Sequence, residues 1–296
     1  MNGHNLTSSS KAVERHRVVS LLTLLDLPYS ILAGVVLLTI ITVSALGAPW
    51  IAHHNPTEQH PQERLQPPSG AHWFGTDRFG RDTFSRILYG ARISLAIGSL
   101  GLVLVVSIGL AVGLLAGYAG SWVDAVAMRL VDALFAFPAV VPALVIVGLF
   151  GPGLINALLA LVSVWWVSIA RVVRGIVLQI KQEPYVEAAQ ALGASPLRIV
   201  WRHILPGVLG PMLPLASFEL GNLILSISSL SFLGLGIQPP SPEWGAMLAD
   251  GRSHFAEAPY LVVFPGLMLF LTILALNLIG EGLRDILDPT STYIVK

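Results

Sequence analysis

The sequence predicts an all-α, polytopic membrane protein with six transmembrane helices. Three observations carry that reading. The 296 residues are 54% hydrophobic and only 11% charged, against roughly 25% charged in an ordinary soluble domain. The apolar residues gather into runs long enough to cross a bilayer, which takes about 20 residues. The basic residues between those runs are unequally divided, as expected when one set of loops stays inside the cell.

Six segments qualify in order. The first, 27–52, carries an apolar run too long for the core of a signal peptide, so it reads as a retained helix. The second is 93–118. The third, 125–150, holds Arg129 and Asp132 in its first turns and Pro138 and Pro142 further on. Those prolines predict a kink, tolerated where neighbouring helices cover the freed carbonyls. The fourth is 154–173, the fifth 208–235 and the sixth 260–283. With the N-terminus inside, Lys11, Arg15, Arg17, Arg129, Arg171, Arg174, Lys181, Arg198, Arg202, Arg284 and Lys296 are cytoplasmic. Arg64, Arg78, Arg81, Arg86, Arg92 and Arg252 are outside. The imbalance predicts cytoplasmic N- and C-termini and a long outside loop after the first span.

Several function classes fall away. With no cysteine there is no disulfide, thiolate metal site, iron–sulfur cluster or cysteine nucleophile. The formal net charge is zero, which gives no bulk attraction to nucleic acid. None of the three lysines ends a GxxxxGK[ST] motif, so the chain has no phosphate-binding P-loop. Two other classes stay open as weaker alternatives. A membrane enzyme would need a nucleophile with an acid–base partner, or a metal cluster, and neither is visible. A gradient-driven transporter would need paired intramembrane carboxylates, whereas Glu219 is the one strong mid-helix acid.

Between the fourth and fifth spans runs "EAAQALGASPLRIVWRHILP", residues 187–206. Glu187, Ala188 and Ala189 open a short helix, and Gly193 suits the left-handed position that ends it. Ser195 is a natural N-cap and Pro196 a natural first helical residue. Arg198 follows, and the second helix is expected to stop before Leu205 and Pro206. The glutamate and arginines exclude lipid, so the hairpin faces the cytoplasm.

This stretch resembles the EAA loop of ABC importer permeases, with the spacing EAA-x3-G-x9-I-x-L-P. One departure is His203, at the position usually isoleucine. "HWFGTDRFGRDTFSRILYGARISL" (72–95), "LSFLGLGIQPPSPEWGAMLADGR" (230–252) and "NLIGEGLRDILDP" (277–289) resemble the dipeptide/oligopeptide/nickel permease family, on its C-type, DppC/OppC-like side. A glutamate often found in that family stands as Ile227 here, so no role of that carboxylate is carried over.

The resemblance implies a type I ABC importer permease of the MetI-like fold in the cell inner membrane. It divides the chain into an N-terminal tail, span and outside loop (1–90), a permease core (91–289) with its coupling loop at about 181–206, and a tail (290–296). It implies a peptide importer, with nickel, glutathione or haem-like cargo as alternatives. It also implies a second, DppB/OppB-like permease, two DppD/DppF-like ATPase subunits and an extracytoplasmic binding protein. The chain itself would bind no cofactor, because ATP and Mg would sit on the ATPase subunits.

Other residues admit two readings. Glu219, Asn222 and Ser226 either line a translocation path or form a buried network. The Gly109, Gly113 and Gly117 repeat packs within the chain or against a partner permease. Trp165 and Trp166 belong to an interfacial belt or pack in the bundle, and Trp201 touches the ATPase or closes the hairpin's core. His53, His54, His60 and His72 crowd the outside loop without a metal-ligand spacing, which favours a solvated loop. Asp77, Arg78, Arg81, Asp82 and Arg86 are expected to pair along a short surface helix.

Overall fold

The computed structural model describes residues 28–138 and 140–287. The cytoplasmic charges assigned to Lys11, Arg15, Arg17 and Lys296, and the C-terminal tail, lie outside the described residues. Every regular element among the described residues is helical, with a single isolated bridge between Thr76 and Asp82.

The order is α1 (Tyr29–Leu46), α2 (Ala48–Ile51), α3 (Thr83–Ala119), α4 (Ser121–Phe135), α5 (Val140–Phe150), α6 (Leu154–Ile180), α7 (Pro184–Ala191), α8 (Pro196–Ile199), a π-helical turn (Val200–Ile204), α9 (Leu205–Phe232), α10 (Trp244–Arg252) and α11 (Tyr260–Leu287). Five continuous stretches are long and apolar enough to cross a membrane: α1, α3, α6, residues 196–232, and α11. The third expected segment is two helices rather than one kinked helix. Pro138 has no N–H to donate and pushes the residue before it out of the α region, so the chain breaks between Phe135 and α5. The 11 residues of α5 rise about 16 Å, roughly half a bilayer core.

α3 is longer than its apolar core suggested. It starts at Thr83, where Asp82 caps it by accepting from Ser85 N at 2.8 Å. Its 37 residues rise about 55 Å, more than the bilayer core is thick, so the helix reaches well beyond it.

Within the membrane, water does not drive apolar faces together, so close backbone approach matters more. The glycine stripe of α3 provides it. A Cβ on Gly109, Gly113 or Gly117 would lie 2.5, 2.6 and 2.7 Å from Ile169, Val173 and Val177 of α6. Of its two readings, packing within the chain is the one seen. α1 docks on α11 in the same way, with Gly34 against the Ala275 carbonyl and Gly282 against Ile31. One apolar core joins α3, α6 and α9 through Val105, Ile169, Val173 and Leu223. A second joins α1, α3, α9, α10 and α11 through Ile41, Ile87, Ile224, Trp244 and Leu276.

The end of the bundle that carries the loop between α2 and α3 is closed by polar contacts. The expected surface helix of ion pairs is instead a buried turn. Asp77, Arg81, Asp82 and Arg86 are each 6% exposed or less. Asp77 accepts from Phe79 N at 2.8 Å, Arg81 N at 3.0 Å and Arg81 Nε at 2.6 Å. Arg78 and Arg81 both reach Asp250 on α10, at 3.1 and 3.3 Å. This tertiary partner, distant in the chain, draws the charges inward. Glu243, fully buried, caps α10 at Ala246 N and accepts from Ser228 Oγ at 2.7 Å.

Candidate functional site

The loop after α6 shows why its residues keep their spacing. Pro184 opens α7 and Glu187 sits in its first turn, where a carboxylate favours the helix dipole. The helix ends in a Schellman arrangement: Ala194 N donates to Ala189 O at 3.1 Å and Gly193 N to Gln190 O at 2.9 Å. Gly193 has φ +78°, the left-handed conformation that a side chain resists. So Ala189 and the glycine four residues later are two ends of one capping unit, with Ala188 accepting from Leu192 N inside it.

Ser195 then caps α8 by accepting from Arg198 N at 3.4 Å, with Pro196 as its first residue. The expected stop before Pro206 does not occur. Pro206 cannot donate to the carbonyl four residues back and its ring crowds that carbonyl. The helix answers by widening into the π turn over Val200–Ile204, where Leu205 N reaches back to Val200 O. Residues 196–232 therefore form one unbroken helical rod.

The loop has a small core of Val186, Ile199 and Ile204, each at most 2% exposed. His203 sets its ring 6.3 Å from that of Tyr185, so the departure at this position joins α7 to the π turn. Trp201 stays out of that core at 65% exposed, and Tyr185, Leu192 and Leu197 on the same loop are exposed as well.

Midway along the rod lies a cavity of about 550 Å³. The break between α4 and α5 borders it with Phe135, Phe137 and Pro138, α6 with Trp165, and α9 with Glu219 and Asn222. Trp165 Nε1 donates to Glu219 Oε2 at 2.9 Å and is the only hydrogen-bond partner of that carboxylate among the described residues. Trp165 thus packs in the bundle, as the second of its readings had it, and also forms cavity wall. Trp166 is buried and donates to Ser163 O. Ser226 lies off the cavity, donating to Asn222 O at 2.7 Å. Trp165 and the aromatic break residues were not singled out as cavity residues by sequence. The signal for them was the pair Pro138 and Pro142, which marks a discontinuity but not what lies across from it.

His72 departs from the solvated-loop expectation: it is 3% exposed and bonded to Asp82 at 2.9 Å. The His53 ring lies tilted against Trp73 with centroids 5.0 Å apart, and His60 lies 3.5 Å from Glu58.

Comparison with known proteins agrees with this architecture. Residues 109–293 match the family described as binding-protein-dependent transport system inner membrane component. Residues 30–68 match the N-terminal TM domain of oligopeptide transport permease C. The chain is 43% identical over 258 residues to the dipeptide transport system permease protein DppC of Alkalihalophilus pseudofirmus, spanning 87% of this chain and 85% of the relative. It is 45% identical over 261 residues to the glutathione transport system permease protein GsiD of Pectobacterium atrosepticum, spanning 88% and 86%. Among solved structures, the inward-facing MetNI methionine ABC transporter superposes with a TM-score of 0.57 at 19% identity, over 69% of this chain and 97% of that one. An amino acid ABC transporter crystallised with histidines gives 0.51 at 17%, over 71% and 95%. At such identities the structural likeness is one of fold, the MetI-like permease fold. The long sequence matches settle the rest: the chain belongs to the binding-protein-dependent transport system inner membrane components, on their DppC/OppC-like branch.

Proposed function

We propose that the chain is one of two permease halves of an ATP-driven importer of short peptides, coupling ATP hydrolysis by separate ATPase subunits to substrate movement. One observation carries the mechanism. The second half of the loop, from Pro196, and the cavity wall bearing Glu219 and Asn222 belong to one continuous helical stretch, residues 196–232. A push on exposed Leu197 and Trp201 is therefore passed along that helix to the wall.

In this reading the EAA residues Glu187, Ala188, Ala189, Gly193, Ser195, Pro196, Arg198, Leu205 and Pro206 shape the part that enters an ATPase groove. ATP binding closes the two ATPase subunits, tilts the rod and opens the cavity outward to the binding protein, and hydrolysis resets it. ATP and Mg belong to the partner subunits, and this chain is a permease rather than an enzyme. Both termini face the cytoplasm, in keeping with the division of basic residues. Glu219, held at one oxygen by Trp165, offers the peptide's ammonium group a counter-charge, and Asn222 a hydrogen bond. Ser226, one turn further on and off the cavity, returns its hydroxyl to the Asn222 carbonyl. Relatives named for dipeptide and glutathione transport support peptide cargo, glutathione being itself a peptide.

The test is co-purification from the native host. A tagged chain, gently solubilised, should bring down P-loop ATPases and a second, homologous permease. Recovery of the chain alone across several mild detergents would overturn the importer assignment in favour of a gradient-driven transporter.

A further inference from the structure

On the outside face, His54, His72 and Asp82 each offer one ligand atom, and the three atoms lie within 4.8 Å of one another. They come from three places: the chain leaving α2, the middle of the outside loop, and the N-cap of α3. His72 and Asp82 are buried at 3% and 4% exposure, and the His54 ring lies tilted against that of His72 with centroids 4.8 Å apart.

Each of the three already has its other polar atom engaged. His54 Nε2 lies 3.2 Å from Ala71 O. His72 Nε2 lies 3.5 Å from Glu63 Oε2. Asp82 Oδ2 accepts from Ser85 N at 2.8 Å. The carbonyl beside His54 Nε2 fixes that ring's tautomer and leaves the lone pair of Nδ1 for a metal. His72 Nδ1 and Asp82 Oδ1 are hydrogen-bonded at 2.9 Å, so an ion that takes both displaces the proton between them. Adjacent ligands sit about 2.8–3.4 Å apart when bonds to the ion are about 2.0–2.1 Å, so the separations of up to 4.8 Å close by about 1 Å on binding.

We infer that His54, His72 and Asp82 form a binding site for a divalent transition-metal ion such as Zn²⁺, with water completing the coordination. Two imidazoles and a carboxylate suit a borderline ion. Ca²⁺ and Mg²⁺ take mostly oxygen ligands, and more of them. The ion staples the chain leaving the first span to the start of α3, and so fixes the outside loop on the permease core. The site stands apart from the cavity at Glu219 and does not depend on what is transported.

The test uses the full chain purified in detergent, stripped with a chelator and titrated with Zn²⁺ by calorimetry. The expected result is one saturable high-affinity ion per chain, with the unfolding temperature raised by Zn²⁺. His54→Ala leaves the buried His72–Asp82 pair intact, so the protein should fold, yet its Zn²⁺ affinity should fall at least tenfold and its unfolding temperature should no longer respond. His53→Ala, changing the neighbouring histidine, should behave as wild type. Absence of one-to-one binding by the wild type overturns the site, and so does equal affinity in His54→Ala.

Discussion

Gly113→Ala tests the packing on which the membrane bundle rests. The added Cβ would lie 2.6 Å from the Val173 Cβ and 2.7 Å from the Ala170 carbonyl oxygen. Carbon atoms rest comfortably at about 3.5–4.0 Å, so α3 and α6 would have to part by about 1 Å. Neither obstacle is the loose end of a side chain, which places the strain near the top of the usual overpacking range, about 3 kcal/mol. Alanine's better helix propensity offsets about 1 kcal/mol. The net loss is then about 2 kcal/mol. Gly175, also on α6, has nothing within 4 Å of its Cβ position, so Gly175→Ala should gain about 1 kcal/mol from propensity alone. Thermal unfolding of the two purified variants in one detergent reads the difference: the midpoint falls for Gly113→Ala and holds or rises for Gly175→Ala. A Gly113→Ala midpoint at or above wild type would refute the close approach of α3 and α6.

Four further outcomes follow from named contacts. Gly193→Val places a β-branched residue at φ +78° with open space around it, so about 1–2 kcal/mol of strain falls on the backbone alone. Membrane insertion should be normal and uptake lost, and normal uptake by the inserted protein would count against the coupling role. Glu219→Gln keeps an acceptor for Trp165 but removes the charge, so uptake of a peptide with a free amino terminus should slow severalfold while the unfolding midpoint holds. Unchanged kinetics would assign Glu219 to packing. Asp77→Ala removes the nearer of the two carboxylates at Arg81, which is 1% exposed, together with the carboxylate beside buried Arg86, and should cost about 3–5 kcal/mol, seen as loss of folded protein. Asp250→Ala should cost less, because the Asp250 side chain is 21% exposed and water can replace part of what it gives.

Much of this protein is legible without coordinates. The bilayer demands about 20 apolar residues per crossing, so composition and run length alone mark the membrane class and most of the spans. The Schellman turn at Gly193 and the cap at Ser195 are local devices, built from residues a few positions apart, and the EAA spacing exposes them directly. What tertiary structure decided are pairings over long sequence separations. Asp77 and Arg81 look like a surface helix pair until Asp250 closes over them. His54, His72 and Asp82 follow no ligand spacing, since three separate segments bring them together. Glu219 is visible as an intramembrane acid, but its partner Trp165 is 54 residues away on another helix. Pro206 reads locally as a helix stop, yet the packing of Ile199, Ile204 and Val208 holds the rod together through a widened turn. Short-range hydrogen bonding is written in neighbouring residues, whereas burial and long-range charge pairing exist only once the helices have met.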